Sequence, residues 1–502
     1  MAAMTTMTML RSGVPGPELC GARCGPIGCA HRFVFAARRL FAAVLLVPMV
    51  AALFTLAMPT ASRAQTTSAI GSGSNLGTSP DAARYSAAVA TEWFRLVLPA
   101  IQQTPGQSPP VAARTLAYLS LGLYESIIAG IPGQRSLTGQ LSELDSLPAA
   151  QPNEVLHWPT VANATLAALT HMLLPNAPAD WNARFDALER NMPVAQSADF
   201  DPAERSPEVI IRSETHGRLL AMALMTWART DGGHDAVGPR RTRLDSQYVS
   251  PSGPGAWVPT PPRFLRPLLP NWGSNRPFMP AAQQRCAPPG PPHYDETAGS
   301  PFYREAEEVR RVSVQPTEEQ RRVALYWADD PGKTPTPAGH WAWILTDLLR
   351  DRKANLAMAA ERYARMTIAM SDAFVATWKV KYEVNLLRPV TYIQLTMDSN
   401  WMPPLMETPP FPEYPSGHSV QSGAAAAVLE NFFGSNTEFE DRTHNDRGWG
   451  PRRFRSFRAA GEEAALSRLY AGIHFRSAIE HGVQQGRCIG AQALALETKL
   501  RQ

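Results

Sequence analysis

The sequence predicts an all-α protein in which two helical regions are separated by a proline-rich extended segment. Apolar residues recur at helical spacing over most of the chain, whereas no stretch shows the alternation typical of a β-strand. This pattern is interrupted by 15 prolines among the 63 residues from 239 to 301. Because each proline removes a hydrogen-bond donor and fixes φ, that segment excludes long helices and central strands.

The composition is that of an ordinary globular protein with enough chain for a large core. The 502 residues are 44% hydrophobic and 18% charged, which suits two or three domains. Although the formal net charge is +4, residues 1–64 hold six arginines and one glutamate, so the remainder carries −1 and nucleic acid is not an expected partner. Only Cys286 and Cys488 of the five cysteines lie beyond residue 64, which permits one disulfide and no thiolate metal site.

Residues 1–64 are predicted to be a signal peptide. An apolar run at 40–58 follows Arg38 and Arg39, and the tripeptide at 62–64 has the small-x-small pattern of a cleavage site. A membrane anchor is the alternative, and the arginine pair leaves Sec and Tat export open. We therefore expect an exported protein, periplasmic or secreted, without stable membrane insertion after the signal is cleaved.

Helical patterning begins after a linker. Residues 65–80 are rich in Ser, Gly and Thr and are predicted to be disordered. Residues 81–235 are predicted to be an N-terminal helical domain that supplies scaffold rather than chemistry. Its helices are bounded by prolines and are expected at 81–98, 110–131, 161–174 and 206–229.

The proline-rich segment is assigned to residues 236–315 and is predicted to be an ordered wrap over the helices, because tryptophans such as Trp257 and Trp272 are interleaved with its prolines. Residues 316–502 are predicted to be the catalytic helical domain. Its helices are expected at 317–329, 340–349, 354–387, 420–433 and 459–497. Residues 435–457 are polar and basic, which favours a solvated surface loop over a substrate lid.

The candidate site is organised around the sequence Pro-Ser-Gly-His at 415–418, which precedes an alanine-rich helical run. Ser416 is a good N-cap, so the amide of Gly417 and the side chain of His418 are expected at a helix N-terminus. Unpaired N–H groups and the helix dipole favour an anion there. Many helices begin in this way, so the motif gains weight only from the residues that flank it.

Three cations and a second histidine flank this helix start. Lys381 and Arg388 are seven residues apart, which would place both on one face of a helix. Arg468 and His474 follow, and Gly472 between them can break the helix so that both side chains point inward. Guanidinium groups and backbone donors suit a tetrahedral oxyanion such as phosphate. Each residue alone is ordinary, but together they predict an oxyanion site.

The two histidines suit separate roles. His474, next to Arg468, is suited to bond the central atom of the oxyanion directly. His418, at the helix start, is suited to move a proton at the axial or leaving oxygen.

These motifs resemble the three-part signature of the superfamily that unites type 2 phosphatidic-acid phosphatases with vanadium-dependent haloperoxidases. The signature is carried by Lys381-x6-Arg388-Pro389, Pro415-Ser416-Gly417-His418 and Ser467-Arg468-x5-His474. Similarity extends from about residue 85 onward and favours the bacterial haloperoxidase branch. It is strongest at Ser108–Arg114, Trp257–Pro262, Pro270–Gly273 and Thr336–Trp341.

The resemblance implies two helical bundles of the vanadium haloperoxidase and acid phosphatase type, with the site in the second. It implies that His474 coordinates vanadate, or attacks phosphorus in a phosphatase, while His418 is the acid–base group. The oxygens would be held by Lys381, Arg388, Ser416, Gly417 and Arg468. Lys381 would also act on the bound peroxide.

Four further positions bear on this resemblance. Trp378 and Phe411 match aromatic positions beside the site in chloride-oxidising relatives, although both also suit a plain core. Asp330 matches a partner of Arg468. The family usually carries Asp four residues after its last histidine, where this chain has Ala478. We therefore expect His474 to be oriented by a weaker acceptor such as a backbone carbonyl, which would impair phosphoryl transfer more than vanadate chemistry.

Three functions follow from these residues. The first is an exported vanadate-dependent haloperoxidase that oxidises halide with hydrogen peroxide. The second is a phosphomonoesterase that acts on a phosphate ester through a phosphohistidine at His474 and needs no vanadate. The third is a non-catalytic oxyanion-binding relative, motivated by Ala478. The halide, the organic substrate and a homodimer are left open by the sequence.

Overall fold

The computed structural model describes residues 79–151, 154–195, 206–234 and 245–500. The predicted signal peptide and nearly all of the predicted linker lie outside the described residues. The described residues form one compact unit. Among the described residues, no helix has both the length and the hydropathy of a transmembrane segment.

Five helices form the first bundle, and the predicted all-α class is confirmed. They are α1 (Ala88–Gln103), α2 (Pro109–Ile127), α3 (Trp158–Leu173), α4 (Ala179–Ala195) and α5 (Pro207–Ala228). In the bundle, α3 packs against the other four. Ser206 caps α5 through the N–H of Val209, as the Ser-Pro start predicts.

Two predictions for this bundle were wrong. Helix α1 does not stop at Pro99 but continues through it. Leu98 and Ile101, on either side of that proline, are both buried, and this burial outweighs the single lost hydrogen bond. Helix α4 was not predicted, because its mixed charged and apolar residues show weak periodicity.

The proline-rich segment is ordered and mostly extended from 245 to 300, with short helical turns at Trp272–Ser274 and Ala282–Arg285. Its Phe278 and Met279 backbone N–H groups donate to the buried carboxylate of Asp372, both at 2.7 Å. Helices resume earlier than the predicted residue 317, at helix α6 (Pro301–Val314). Ser300 caps that helix and proline occupies its first position, a Ser-Pro signal that the high proline content of the segment obscured.

Seven α-helices lie within the described residues from 315 to 500. They are α7 (Glu318–Tyr326), α8 (Thr336–Asp351), α9 (Leu356–Val384), α10 (Pro389–Thr396), α11 (Gly417–Phe433), α12 (Phe457–Tyr470) and α13 (Arg476–Leu494). The long α9 joins the two bundles, since it packs against α2 on one side and against α11 and α13 on the other. The predicted two-bundle fold is confirmed, while the predicted domain boundaries at 235 and 315 stay predictions.

Glycines hold α11 close to α13, which fixes the position of the candidate site. A Cβ at Gly486 would collide with the backbone carbonyl of Val420, and one at Gly490 would lie 2.8 Å from that of Ala424. The helices therefore touch backbone to backbone. At the start of α11, the Ser416 N–H donates to the carbonyl of Ala478 at 3.0 Å.

Residues 435–457 are not the plain solvated loop that their polarity favoured. They contain an antiparallel hairpin of β1 (Phe439–Asp441) and β2 (Arg452–Phe454). Phe439 lies opposite Phe454, and their rings stack with centroids 5.4 Å apart. Three-residue strands are too short for an alternating pattern to be visible in the sequence.

A disulfide joins the proline-rich segment to α13. It links Cys286 and Cys488, whose Cα atoms are 5.5 Å apart across 202 residues of chain.

Candidate active site

The start of α11 provides backbone donors at the centre of the site. Ser416 is its N-cap, and the Ser416 Oγ accepts from the N–H of Ser419 at 3.4 Å. The N–H groups of Gly417 and His418, in the first helical turn, have no carbonyl partner within the helix. The predicted helix start is therefore confirmed.

Lys381 and Arg388 reach the site from two different helices rather than from one face, contrary to the prediction. Helix α9 ends at Val384, and Asn385 adopts a left-handed conformation with φ of 49°. Arg388 is then the N-cap of α10, because Pro389 suits the first position of a new helix better than the interior of an old one.

Arg388 is fully buried and most of its guanidinium is already bound. Its Nε donates to the carbonyl of Phe411 at 2.8 Å, and its Nη1 donates to that of Ile473 at 2.9 Å. Nη1 also lies 3.2 Å from Nε2 of His474. These contacts hold the group rigidly and leave Nη2 without a protein partner.

Lys381 is also fully buried, and its Nζ donates to the carbonyls of Pro412 and Glu413 at 2.8 and 2.9 Å. Burial and the nearby Arg388 lower its pKa well below the ordinary value. An ammonium has three donors, so one stays available to a ligand when Lys381 is protonated.

Arg468 and His474 lie at the junction between α12 and α13. The predicted break is confirmed, because α12 ends at Tyr470 and Gly472 adopts a φ of 79°. Arg468 donates through Nη1 to the carbonyl of Trp327 at 2.8 Å. Its Nε is buried and has no protein partner.

Both site histidines favour the neutral form. Burial, reinforced by Arg388, Lys381 and Arg468, lowers the pKa of His474 well below its ordinary value. Burial and Arg468 do the same to the pKa of His418, against an upward pull from Asp329. A neutral imidazole keeps a nitrogen lone pair, which either coordination or proton uptake requires.

Three buried side-chain nitrogens without a protein partner belong to residues whose charges act on His474, and we call this arrangement the oxyanion pocket. They are Arg388 Nη2, Arg468 Nε and His418 Nε2. Buried polar atoms without partners are rare in native proteins, so their grouping indicates a polar ligand. Two guanidinium donors, a helix start and a neutral imidazole fit vanadate or phosphate in charge and in donor type.

The two predicted aromatic residues lie beside this pocket. The ring of Phe411 is 4.9 Å from Trp378, 5.0 Å from the Lys381 ammonium and 4.9 Å from the Arg388 guanidinium. Trp378 is buried, and its indole donates to the carbonyl of Leu268 at 3.2 Å. Phe411 therefore contacts both cations and Trp378, while the catalytic roles assigned to all these residues stay predictions.

Asp330 does not form the predicted ion pair with Arg468. Its carboxylate pairs with Lys333 at 3.1 Å, three residues further along the same turn. Burial lowers the pKa of Arg468 to about 10, and the charges of Asp330 and Asp329 oppose that effect only through space.

The partner of His474 is Glu413, a residue that no motif in the sequence indicated. The carboxylate Oε1 accepts from Nδ1 of His474 and from the N–H of Phe475, both at 2.8 Å. The expectation that Ala478 leaves His474 with a weaker acceptor is therefore wrong. Glu413 is fully buried, and burial raises its pKa to about 8 against the pull of Arg388 and Lys381.

A buried network of two carboxylates and two histidines lies near Arg468. His340 lies between two carboxylates, with Nδ1 2.9 Å from Asp329 and Nε2 2.7 Å from Asp441. Although burial lowers the pKa of His340, the two carboxylates raise it to about 10. Asp329, His340 and His444 have ligand atoms within 4.8 Å of one another, as a metal site would. A protonated His340 has a positive charge and two N–H donors, so it can hydrogen-bond both carboxylates and stabilise their charge without a metal.

Comparison with solved structures identifies the family. The chain matches the crystal structure of a bacterial vanadium-dependent iodoperoxidase with a TM-score of 0.71 and 32% sequence identity, over 83% of this chain and 98% of that one. The chain belongs to the vanadium haloperoxidase family. Within this family it also shares the fold of a bacterial vanadium-dependent chloroperoxidase, at 15% identity and a TM-score of 0.58, over 77% of this chain and 93% of that one.

Two further comparisons agree on the family. The description of the matching family model is VCPO second helical-bundle domain, and the match covers residues 361–502. The vanadium chloroperoxidase of Curvularia inaequalis is 28% identical over 138 residues, which is 23% of this chain and 23% of that protein. The chain thus matches less than a quarter of this curated relative.

Proposed function

We propose that this protein is an exported haloperoxidase that oxidises halide with hydrogen peroxide at a vanadate held by His474. The observation that carries the proposal is the oxyanion pocket, in which Arg388 Nη2, Arg468 Nε and His418 Nε2 lie unpartnered near the neutral ring of His474. When bound, vanadate would supply a Lewis acid that activates peroxide.

The contacts of each site residue indicate whether it would bind a ligand oxygen or transfer a proton. Arg388 and Arg468 would hold two ligand oxygens, because each guanidinium is already fixed to a backbone carbonyl and does not need to reorganise. The N–H of Gly417 and the third donor of Lys381 would hold further oxygens, and Ser416 fixes the helix start beside them. His418 would move the proton at the reacting oxygen through its free Nε2.

Iodide is the first halide to test. The bacterial iodoperoxidase described above is matched over 98% of its own length by this chain. Iodide is also the most readily oxidised of the common halides. Phe411 and Trp378 would form the wall of the pocket next to the cations, where a halide has to approach.

A phosphomonoesterase stays the second candidate, because Glu413 supplies the orienting carboxylate that a phosphohistidine mechanism uses. The same carboxylate removes the reason for the non-catalytic alternative, which rested on Ala478.

Export is supported by the disulfide between Cys286 and Cys488, since disulfides persist in oxidising compartments. The disulfide is independent of the predicted signal peptide and points in the same direction.

A paired assay tests the proposal. Metal-free protein is reconstituted with vanadate and measured for iodide and bromide oxidation by peroxide, in parallel with nitrophenyl phosphate hydrolysis without vanadate. We expect halide oxidation that depends on vanadate and is inhibited by phosphate. Brisk phosphate-ester hydrolysis without any vanadate-dependent oxidation would instead establish the phosphatase.

The control is a substitution of a second buried arginine. Arg388→Lys should lose oxidation, whereas Arg365→Lys should not. Arg365 is buried to a similar degree, but its guanidinium binds the carbonyls of Ala493 and Leu494 at the end of α13.

A further inference from the structure

The partner of His474 comes from a part of the chain that the family signature does not include. Glu413 lies just before the Pro-Ser-Gly-His sequence and 61 residues before His474. It takes the place of a carboxylate on α13, where this chain has Ala478, a fully buried residue.

We propose that Glu413 is the positioning residue that keeps His474 in the one tautomer able to bind vanadate. This inference rests on the proposed function and adds a residue to it.

The tautomer follows from two donors that meet at one oxygen. Glu413 Oε1 lies 2.8 Å from the backbone N–H of Phe475, which can only donate, so this oxygen is an acceptor. His474 Nδ1 lies 2.8 Å from the same oxygen and carries the proton when Glu413 is ionised. The lone pair of the ring is left on Nε2.

A contact on the opposite side of the ring requires the same tautomer. His474 Nε2 lies 3.2 Å from Nη1 of Arg388, and a guanidinium has no lone pair with which to accept. Nε2 is therefore the acceptor, and it lies next to Arg388, whose Nη2 belongs to the oxyanion pocket. Phe475 also ties Glu413 to the backbone next to His474, so the carboxylate fixes both the proton and the orientation of the ring.

Charge and orientation predict opposite results when Glu413 is changed. Above its pKa of about 8, Glu413 is a carboxylate and repels an anion, so loss of its charge alone would tighten vanadate binding at such a pH. Loss of the acceptor frees the ring to turn or to change tautomer, which would weaken binding. Glu413→Gln removes the charge but keeps an oxygen toward the two N–H donors, whereas Glu413→Leu removes both.

The experiment measures the vanadate dissociation constant of the metal-free full chain by calorimetry. We expect Glu413→Leu to weaken vanadate binding about 10- to 100-fold, and Glu413→Gln to weaken it less than about tenfold. In a His474→Ala background, Glu413→Leu should have no further weakening effect, because Glu413 acts through that ring. Glu305→Leu is the matched control, since the Glu305 carboxylate binds Ser477, three residues after His474, rather than His474 itself.

Each outcome supports or overturns the inference. Native affinity in Glu413→Leu would overturn it, and so would an equal loss in Glu413→Gln. Further weakening in the His474→Ala background would assign Glu413 a structural role instead. If Glu413→Leu does not fold, Glu413→Asp, which withdraws the acceptor by one methylene, should show the same loss. A native protein that does not bind vanadate at all would overturn the proposed function itself.

Discussion

Vanadate should raise the thermal stability of the native protein, and Arg388→Ala should remove most of that effect. A ligand present at about 100 times its dissociation constant stabilises a native state by about 2.7 kcal/mol, because it binds the folded form alone. Arg388 has one free donor, Nη2, directed at the ligand. A hydrogen bond to a charged group contributes about 1.5–3 kcal/mol, so its loss weakens binding about 10- to 150-fold.

At the same vanadate concentration, the Arg388→Ala protein should retain only about 0.3–1.4 kcal/mol of ligand stabilisation. The assay is thermal unfolding with and without vanadate, in the native protein and in both arginine variants, with each variant compared with its own ligand-free baseline. That comparison is needed because Arg388→Ala also leaves the carbonyls of Phe411 and Ile473 unpaired. Arg365→Ala should keep the full vanadate shift. An undiminished shift in Arg388→Ala would refute the oxyanion pocket as the binding site.

Four other results are expected. His474→Ala should lose most of its vanadate affinity while the arginines still hold the anion weakly, whereas His418→Ala should keep its affinity and lose about 10²–10⁴-fold in turnover. Equal losses of affinity would contradict the assigned roles. Ala478→Asp should lower the unfolding temperature, because it buries a second carboxylate. It should not raise phosphate-ester hydrolysis, because Glu413 already orients the ring of His474. Faster hydrolysis would show that Glu413 orients the ring inadequately. His340 has a pKa of about 10 in the fold and 6.5 as its ordinary value, so its contribution to stability should be complete below about pH 6.5 and should be lost as pH rises toward 10. Denaturant unfolding across that range should show the decline, and His340→Leu should flatten it. Reduction of the disulfide should lower stability by about 2–5 kcal/mol, measured by denaturant unfolding with and without a reductant, and an unchanged midpoint would contradict this.

The sequence alone determined the helical class, most helix starts and the three motifs of the site. These features are local, because proline and N-cap residues fix the backbone over one or two turns. The Ser-Pro start of α5, the Ser416 cap of α11 and the break at Gly472 were all visible for that reason. Prediction failed where a proline could either end a helix or be accommodated. Pro99 lies inside α1 rather than after it, and Pro389 begins a new helix with Arg388 as its N-cap.

Only the tertiary structure decided which groups meet across long separations. Glu413 reaches His474 over 61 residues, and His340 reaches Asp441 over 101. Neither partner belongs to a short motif, and a buried carboxylate in the sequence looks the same as an exposed one. Their pairing depends on how closely the helices pack and on the cost of leaving a buried polar group unpaired, and both are properties of the assembled core.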